Sequence, residues 1–184
     1  MSTSVVITDT SVLINFLVLD QLHVLSQLTE FDFSVTEHVR AEITEHFPEQ
    51  LQRLNAAFET GSIKEICVTD IVEVRLFAEL TTKGLGIGEC SAVAVALHRG
   101  IRIAIDDKRA IKKIRRLGYN LDTIGTSELT VCLIKAAILT VEEADNFKKI
   151  WEEEYRFKLP FSSFAECIEP TSEEPGLQPK SKSG

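Results

Sequence analysis

Cysteine and histidine are scarce in this sequence of 184 residues. It has four cysteines and four histidines, with no C-x-x-C pair and no histidine spacing typical of a zinc site. The cysteines are far apart and lie among apolar neighbours, at Cys67, Cys90, Cys132 and Cys167. We therefore expect buried free thiols in a reducing environment, and the pattern argues against disulfide-stapled domains and zinc hydrolases.

Long apolar runs are also missing. No stretch approaches the ~18 consecutive apolar residues that a membrane-spanning helix needs. The first residues, MSTSVVITDT, lack the basic segment, apolar stretch and cleavage site of a secretory signal. We expect a cytoplasmic protein with no membrane partner.

Positive charge is in the minority, since 20 Lys and Arg face 28 Asp and Glu, for a net charge of −8. A chain with this balance is unsuited to coating nucleic acid through bulk electrostatics. An acidic nuclease site stays compatible with it, because bound divalent cations invert the charge at the place where a phosphate must approach.

What the sequence does contain is a regular alternation of short apolar runs with helical periodicity. The predicted strands are VVIT (5–8), FDFSV (31–35), ICVT (66–69), IRIAI (101–105) and LDTIGT (121–126). Strands that alternate with helices predict an α/β fold with a mostly parallel sheet of about five strands, covered on both faces. Ligands of such sheets bind at the carboxyl ends of the strands, where the strand order reverses.

The chain reads as one domain, over residues 1–169. Its last residues, 170–184, have the sequence PTSEEPGLQPKSKSG, which is polar and rich in proline, serine and charge. This composition predicts a disordered C-terminal tail.

Acidic residues occupy the ends of the elements at which a ligand would bind. Asp9 directly follows the first strand, and the pair Asp106 and Asp107 follows the fourth. Glu42 lies in the helix after the second strand, and Glu89 opens the helix that follows GLGIG. Each acid alone has a simple structural explanation, as a helix cap, a favourable charge in a first helical turn or a solvated side chain. Their related positions favour a shared site.

Such a site would be costly without cations, because carboxylates that share a partly buried cleft repel one another and have raised pKa values. Oxygen-only ligands in this number suit Mg²⁺ or Mn²⁺ better than zinc or copper. A phosphohydrolase is a further reading, but TDTSV lacks the second aspartate of the commonest aspartyl-phosphate motif.

Five segments in order carry a family resemblance: VVITDTSVLINFLVLDQLHVL, FSVTEHVRAEI, GLGIGECSAVAVAL, IAIDDKRAIKKIRRLG and IGTSELTVCLIKAAIL. Together they resemble the successive motifs of a PIN domain, from Val5 to about Phe157. They are most similar to a small prokaryotic subgroup with a G-x-G-E helix and an acidic pair after the fourth strand.

The resemblance implies a Rossmann-like α/β/α sandwich and a metal-dependent nuclease that cuts single-stranded RNA. Its acidic positions match Asp9, Glu42, Glu89 and Asp107, with Asp106 as the competing register for the last. In a PIN-like site, Asp9, Glu89 and Asp107 would bind Mg²⁺ or Mn²⁺, and Glu42 would orient a water molecule.

Many PIN proteins are toxins of toxin–antitoxin pairs, and homodimers are common among them. The resemblance therefore also implies an antitoxin protein and a second copy of the chain as partners. The alternative is a PIN-like module that binds RNA or protein without cutting it.

One helix carries the densest basic group of the chain: Lys108, Arg109, Lys112, Lys113, Arg115 and Arg116. These side chains could hold an RNA backbone near the acids. An ordinary solvated helix face, with cations favoured near the helix C-terminus, explains them equally well.

Overall fold

The computed structural model describes residues 4–168, in which five strands alternate with helices. The strands are β1 (Ser4–Thr8), β2 (Phe31–Thr36), β3 (Lys64–Ile66), β4 (Arg102–Ala104) and β5 (Thr123–Ile124). The α-helices are α1 (Thr10–Val18), α2 (Glu37–His46), α3 (Leu51–Glu59), α4 (Ile71–Thr81), α5 (Ile87–Arg99), α6 (Lys108–Arg116), α7 (Thr126–Lys135), α8 (Val141–Glu154) and α9 (Ala165–Ile168). Two 3₁₀ helices cover Leu22–Gln27 and Pro48–Gln50.

The sheet is entirely parallel, in the order β3-β2-β1-β4-β5. The chain moves outward from β1 to β3 and then crosses over to β4, on the other side of β1. The strand order therefore reverses between β1 and β4, which is where a ligand is expected. The predicted α/β fold with about five mostly parallel strands is confirmed.

Neighbouring residues of β1 supply the two halves of the core, because successive side chains of a strand point to opposite faces. Val6 packs with α1 and α7, through residues such as Phe16 and Leu129. Ile7 packs on the other face with residues of α5 and α6, such as Val93. This arrangement gives a sheet covered by helices on both faces, as the alternation of strands and helices predicts.

A smaller apolar cluster packs α8 against the layer that contains α1 and α7. Trp151 is fully buried there, beside Ala144 and Phe164. Its indole N–H donates to the backbone carbonyl of Asn15, at 2.8 Å, and its ring packs edge-on against Phe16. Helix α8 therefore supports α1, which begins where the strand order of the sheet reverses.

The third strand lies two residues earlier than the sequence predicts. It ends at Ile66, where the predicted strand begins. Beyond that point the backbone N–H of Val68 donates to both carboxylate oxygens of Glu37, at 3.0 and 3.2 Å, instead of extending the ladder with β2. Lys64 and Glu65 are exposed on this edge strand, so its sequence lacks the apolar alternation of a covered strand.

The four cysteines are free thiols, as expected, but their burial differs from the prediction. Cys90 is buried, Cys132 and Cys167 are partly buried, and Cys67 is exposed. Cys67 follows the end of β3, where the chain has left the core. Within residues 4–168, no helix is both long and apolar enough to cross a membrane. The predicted tail, 170–184, lies outside the described residues.

Candidate functional site

Asp9 lies at the point where β1 and β4 separate. Its backbone N–H donates to the carbonyl of Ala104, at 2.9 Å, and its side chain caps α1. One carboxylate oxygen, Oδ2, accepts from the hydroxyl of Ser11 at 2.7 Å and from the Ser11 N–H at 3.4 Å. The other, Oδ1, is buried and has no hydrogen-bond partner among the described residues.

Burial of the Asp9 carboxyl has a large electrostatic consequence. The side chain is 1 % exposed. Burial raises its pKa to about 7, against the lowering effect of the Ser11 hydrogen bond, and the charge of Glu89 raises it further. At neutral pH the carboxyl is therefore close to half protonated, and a cation beside it would favour the ionised form.

Glu89 lies in the first turn of α5, where its Oε2 accepts from the backbone N–H of Gly86 at 2.9 Å. Burial raises the pKa of Glu89. The Gly86 N–H opposes this rise, while the charges of Asp107 and Glu42 add to it. Because Glu89 also acts on Asp9, its carboxylate is the electrostatic centre of the four acids that sequence reasoning selected.

Glu42 reaches this centre from α2 because the start of α5 has no side chain in its way. Its Oε2 accepts from the hydroxyl of Thr10, at 2.7 Å. A Cβ built on Gly88 would overlap Glu42 Oε2 and lie 3.2 Å from Thr10 Oγ1. Gly88 therefore has a packing reason to be glycine: it lets the Glu42 carboxylate approach the backbone of α5.

Asp107 and Asp106 are adjacent but have different surroundings. Asp107 is exposed and caps α6, since its Oδ1 accepts from the N–H groups of Arg109 and Ala110 at 2.7 and 3.0 Å. Its Oδ2 has no hydrogen bond within residues 4–168. Its charge acts on Glu89, as that of a member of the acidic group would.

Both oxygens of Asp106 are engaged by the protein. Oδ1 accepts from the backbone N–H of Thr126 at 2.9 Å, and Oδ2 accepts from the Thr126 hydroxyl and from Asn15 Nδ2, the latter at 3.1 Å. Burial raises the pKa of Asp106, and the Thr126 hydrogen bonds oppose the rise. The Asp106 side chain thus ties the end of β4 to α1 and α7, and its hydrogen-bonding capacity is largely used.

A hydroxyl connects the two strand ends that meet here. Ser11 Oγ donates to Asp9 Oδ2 and accepts from the backbone N–H of Asp106, at 3.1 Å. Ser11, Asn15 and Thr126 take part in hydrogen bonds between residues that lie about 90 to 110 positions apart in sequence. Local patterns alone give no signal for such contacts.

The four predicted acids share one feature that fits a metal ion. Each uses one oxygen for a protein donor and leaves the other without a hydrogen bond within residues 4–168: Asp9 Oδ1, Glu42 Oε1, Glu89 Oε1 and Asp107 Oδ2. None of the four forms a salt bridge in this part of the chain.

The donor chemistry, with oxygen ligands only and one buried atom that has no partner, therefore fits a hard divalent cation. In the described part of the chain, no three His, Cys, Asp or Glu side chains are already grouped closely enough to hold one. Binding would consequently require side-chain movement toward Glu89.

One cation stands beside the acids. Lys113 of α6 is half-buried, and its Nζ donates to the carbonyl of Gly84 at 3.1 Å. Its charge lowers the pKa of Glu89, in opposition to the neighbouring acids. Gly84 has a φ of +71°, in the left-handed region that favours glycine, and a Cβ there would lie 3.3 Å from Lys113 Nζ.

A protein-family model and a solved structure resemble this chain. A protein-family model described as "PIN domain" matches residues 5–156. No curated protein matches the sequence. Among solved structures, the chain is similar to a PilT N-terminus domain protein from the hyperthermophilic archaeon Sulfolobus solfataricus P2, with 14 % identity and a TM-score of 0.44 over 68 % of this chain and 89 % of that one. The family match covers most of the sequence, and the chain therefore belongs to the PIN-domain family, which has a nuclease-like fold.

Proposed function

We propose that the protein is a divalent-metal-dependent endoribonuclease that hydrolyses phosphodiester bonds of single-stranded RNA. One observation supports this most strongly. The charges of Glu42 and Asp107 act on Glu89, and that of Glu89 acts on Asp9, while each of these four carboxylates keeps one oxygen free of protein donors in the described residues. A group of acids without a paired Lys or Arg is unfavourable in itself, and metal binding gives it a physical reason.

Asp9, Glu89 and Asp107 are the proposed ligands of Mg²⁺ or Mn²⁺. Such an ion, when bound, supplies a Lewis acid that activates water and neutralises charge on a phosphate. Asp107 is preferred to Asp106 because the Asp106 oxygens are already taken by Thr126 and Asn15.

Glu42 has a different proposed task. The Thr10 hydroxyl fixes its Oε2, so that Oε1 keeps a defined position, and this oxygen would lie 3.8 Å from a Cβ built on Gly86. An anchored carboxylate with one free oxygen is suited to accept a hydrogen bond from the attacking water and so to orient it.

The protonation of Asp9 makes the proposed activity depend on pH. Its pKa of about 7 in the absence of a cation means that protons compete with the metal ion for this carboxyl. Metal affinity should therefore fall as pH decreases below about 7 and level off above it, because the ionised carboxylate is the ligand.

The exposed face of α6 is the proposed contact for the RNA backbone. Within residues 4–168 the basic side chains of this helix form no salt bridge, although Arg and Lys elsewhere pair with acids, as in Arg99–Glu73 and Arg102–Asp122. Unpaired cations next to the acidic site are available to phosphates.

Cleavage of a labelled, unstructured RNA tests the proposal. Wild type, Asp9→Asn and the control Asp122→Asn are each assayed with Mn²⁺, with Mg²⁺ and with excess EDTA. Asp122 is an exposed acid that pairs with Arg102, away from the acidic group. We expect metal-dependent cutting by wild type and Asp122→Asn, and none by Asp9→Asn.

A second candidate is a PIN-like module that binds RNA or protein without cutting. The observation in its favour is that no three acids are grouped for metal binding within residues 4–168. Folded wild-type protein that binds the labelled RNA, yet leaves it intact with both metals, would support this candidate over the nuclease.

A further inference from the structure

Two adjoining cavities open along the free edge of β5. The first, the β5 pocket, has a volume of about 660 Å³ and lies between α6, α7 and the segment 157–161. The second, the α6 groove, has a volume of about 590 Å³ and runs along the basic helix. Both are lined by Lys108, Ile111 and Thr123, so they form one continuous depression.

The β5 pocket has aromatic and apolar walls. Phe157, Leu159 and Phe161 line it from the C-terminal segment, and Val131 lines it from α7. The rings are held by edge-on packing, Phe157 against Trp151 at 6.0 Å and Phe161 against Phe164 at 4.9 Å between centroids. Rings fixed in this way are suited to contact a planar ligand.

The charges around the β5 pocket balance. Two lysines and two acids line it: Lys108, Lys158, Asp106 and Glu128. The oxygens of Asp106 are engaged, and Glu128 Oε2 accepts from the backbone N–H of Gly125 at 3.0 Å. A neutral planar group therefore fits this pocket better than a phosphate or a carboxylate does.

Backbone hydrogen-bonding groups also face the depression. Ile103 donates to the carbonyl of Asp122, and Ile105 donates to that of Ile124. In a parallel ladder, the N–H and C=O of the residue between these acceptors, Thr123, then point away from β4 toward the open edge. They form an adjacent donor and acceptor without a partner among residues 4–168, as the edge of a nucleobase requires.

The α6 groove has the opposite character. It is lined by Lys108, Lys112, Arg115 and Arg116, and none of these pairs with an acid within residues 4–168. The depression thus joins a cationic half, suited to phosphate, to an aromatic half of balanced charge, suited to a base.

We propose that this depression binds one nucleotide of the single-stranded RNA, with the base in the β5 pocket and its phosphates on the α6 groove. The inference rests on the proposed function and adds a base-binding subsite to it. Asp106 belongs to the pocket wall and immediately precedes Asp107, so the subsite adjoins the proposed metal ligands. An RNA chain bound here would have the phosphate of an adjacent nucleotide beside the acidic group.

The test uses wild-type protein and fluorescently labelled RNA of four nucleotides, in which each position in turn carries an abasic ribose. Dissociation constants are measured by anisotropy in EDTA, so that no metal-dependent cleavage consumes the probe. We expect loss of the base at one position to weaken binding roughly 5- to 150-fold, the range that corresponds to one stacked base, and loss at the others to have little effect.

Phe161→Leu should remove most of this loss of affinity. The RNA with all four bases should bind the variant more weakly than it binds wild type, while the RNA that lacks the critical base should bind both proteins equally. The matched control is Phe58→Leu. Phe58 lies in α3, and its half-buried ring packs beneath the guanidinium of Arg40. Phe157→Leu gives a second variant if the first unfolds, which its thermal midpoint would reveal. An equal penalty at every position, a penalty unchanged in a folded variant, or no RNA binding would overturn the subsite.

The outcome is distinguishable from that of the nuclease proposal. Metal-dependent cleavage without a position-specific penalty would retain the nuclease and remove the subsite. A position-specific penalty without cleavage would retain the subsite in a protein that only binds RNA.

Discussion

Replacing Asp9 by asparagine should stabilise the metal-free protein at alkaline pH. Asparagine is nearly the same size as aspartate, and it is an equally good N-cap, so the capping role of residue 9 at α1 is retained. Its amide oxygen can still accept from the hydroxyl of Ser11. What the substitution removes is the ionised carboxylate, which is buried with one unpartnered oxygen near Glu89.

The magnitude follows from the pKa of Asp9, which burial raises from 3.8 to about 7. Well below pH 3.8 the carboxyl is protonated in the folded and unfolded states alike, so its ionisation has no effect on stability. Between these two pKa values only the unfolded state ionises, and the folded state loses stability as pH rises. At about 1.4 kcal/mol per pKa unit, the full penalty above pH 7 is about 4 kcal/mol, an upper limit for the gain from Asp9→Asn.

Urea unfolding in EDTA across this pH range measures the effect. The wild-type free energy of unfolding should decline, relative to Asp9→Asn, from about pH 4 to about pH 7, and the difference should then stay constant. Asp122→Asn, which changes an exposed acid, should follow the wild type to within about 0.5 kcal/mol. Parallel pH profiles for wild type and Asp9→Asn, or a less stable Asp9→Asn at about pH 8, would refute the reasoning.

Three further outcomes follow from the site. Gly88→Ala should destabilise the protein by about 1–3 kcal/mol and impair cleavage, because its Cβ displaces Glu42; thermal unfolding and the RNA assay measure both. Mn²⁺ at about 100 times its dissociation constant should stabilise wild type by about 2.7 kcal/mol and Asp9→Asn much less, which calorimetric melting can show. Thr126→Val should lower the free energy of unfolding in urea by about 1–3 kcal/mol, because it removes the hydroxyl that donates to Asp106. Unchanged stability would contradict a role of this hydrogen bond in holding Asp106 in place.

The acidic positions could be selected from the sequence because a parallel sheet brings the ends of its central strands together. An apolar run followed directly by Asp9, and a second one followed by Asp106 and Asp107, become neighbours once the sheet is parallel and reverses between β1 and β4. The same logic misplaced β3, an exposed edge strand with little apolar alternation. There the capture of the Val68 N–H by Glu37 decides where the strand ends.

The sequence alone could not show which member of the acidic pair keeps an oxygen free of protein donors. Asp106 and Asp107 have the same chemistry and adjacent positions. Their difference arises from Thr126 and Asn15, which come from distant parts of the chain and engage Asp106, while the start of α6 leaves one oxygen of Asp107 free of protein donors in the described residues. Such long-range hydrogen bonds depend on the finished packing of α1 and α7 against β4.

The most direct test of the proposed function is the single-turnover rate of RNA cleavage by wild type and Asp9→Asn, at equal protein concentration and about pH 8, with Mn²⁺ or with EDTA. We expect wild type to cut only with Mn²⁺, and Asp9→Asn to be inactive although it is the more stable protein. Equal rates for the two proteins, or undiminished wild-type cleavage in EDTA, would contradict a metal-dependent site built around Asp9.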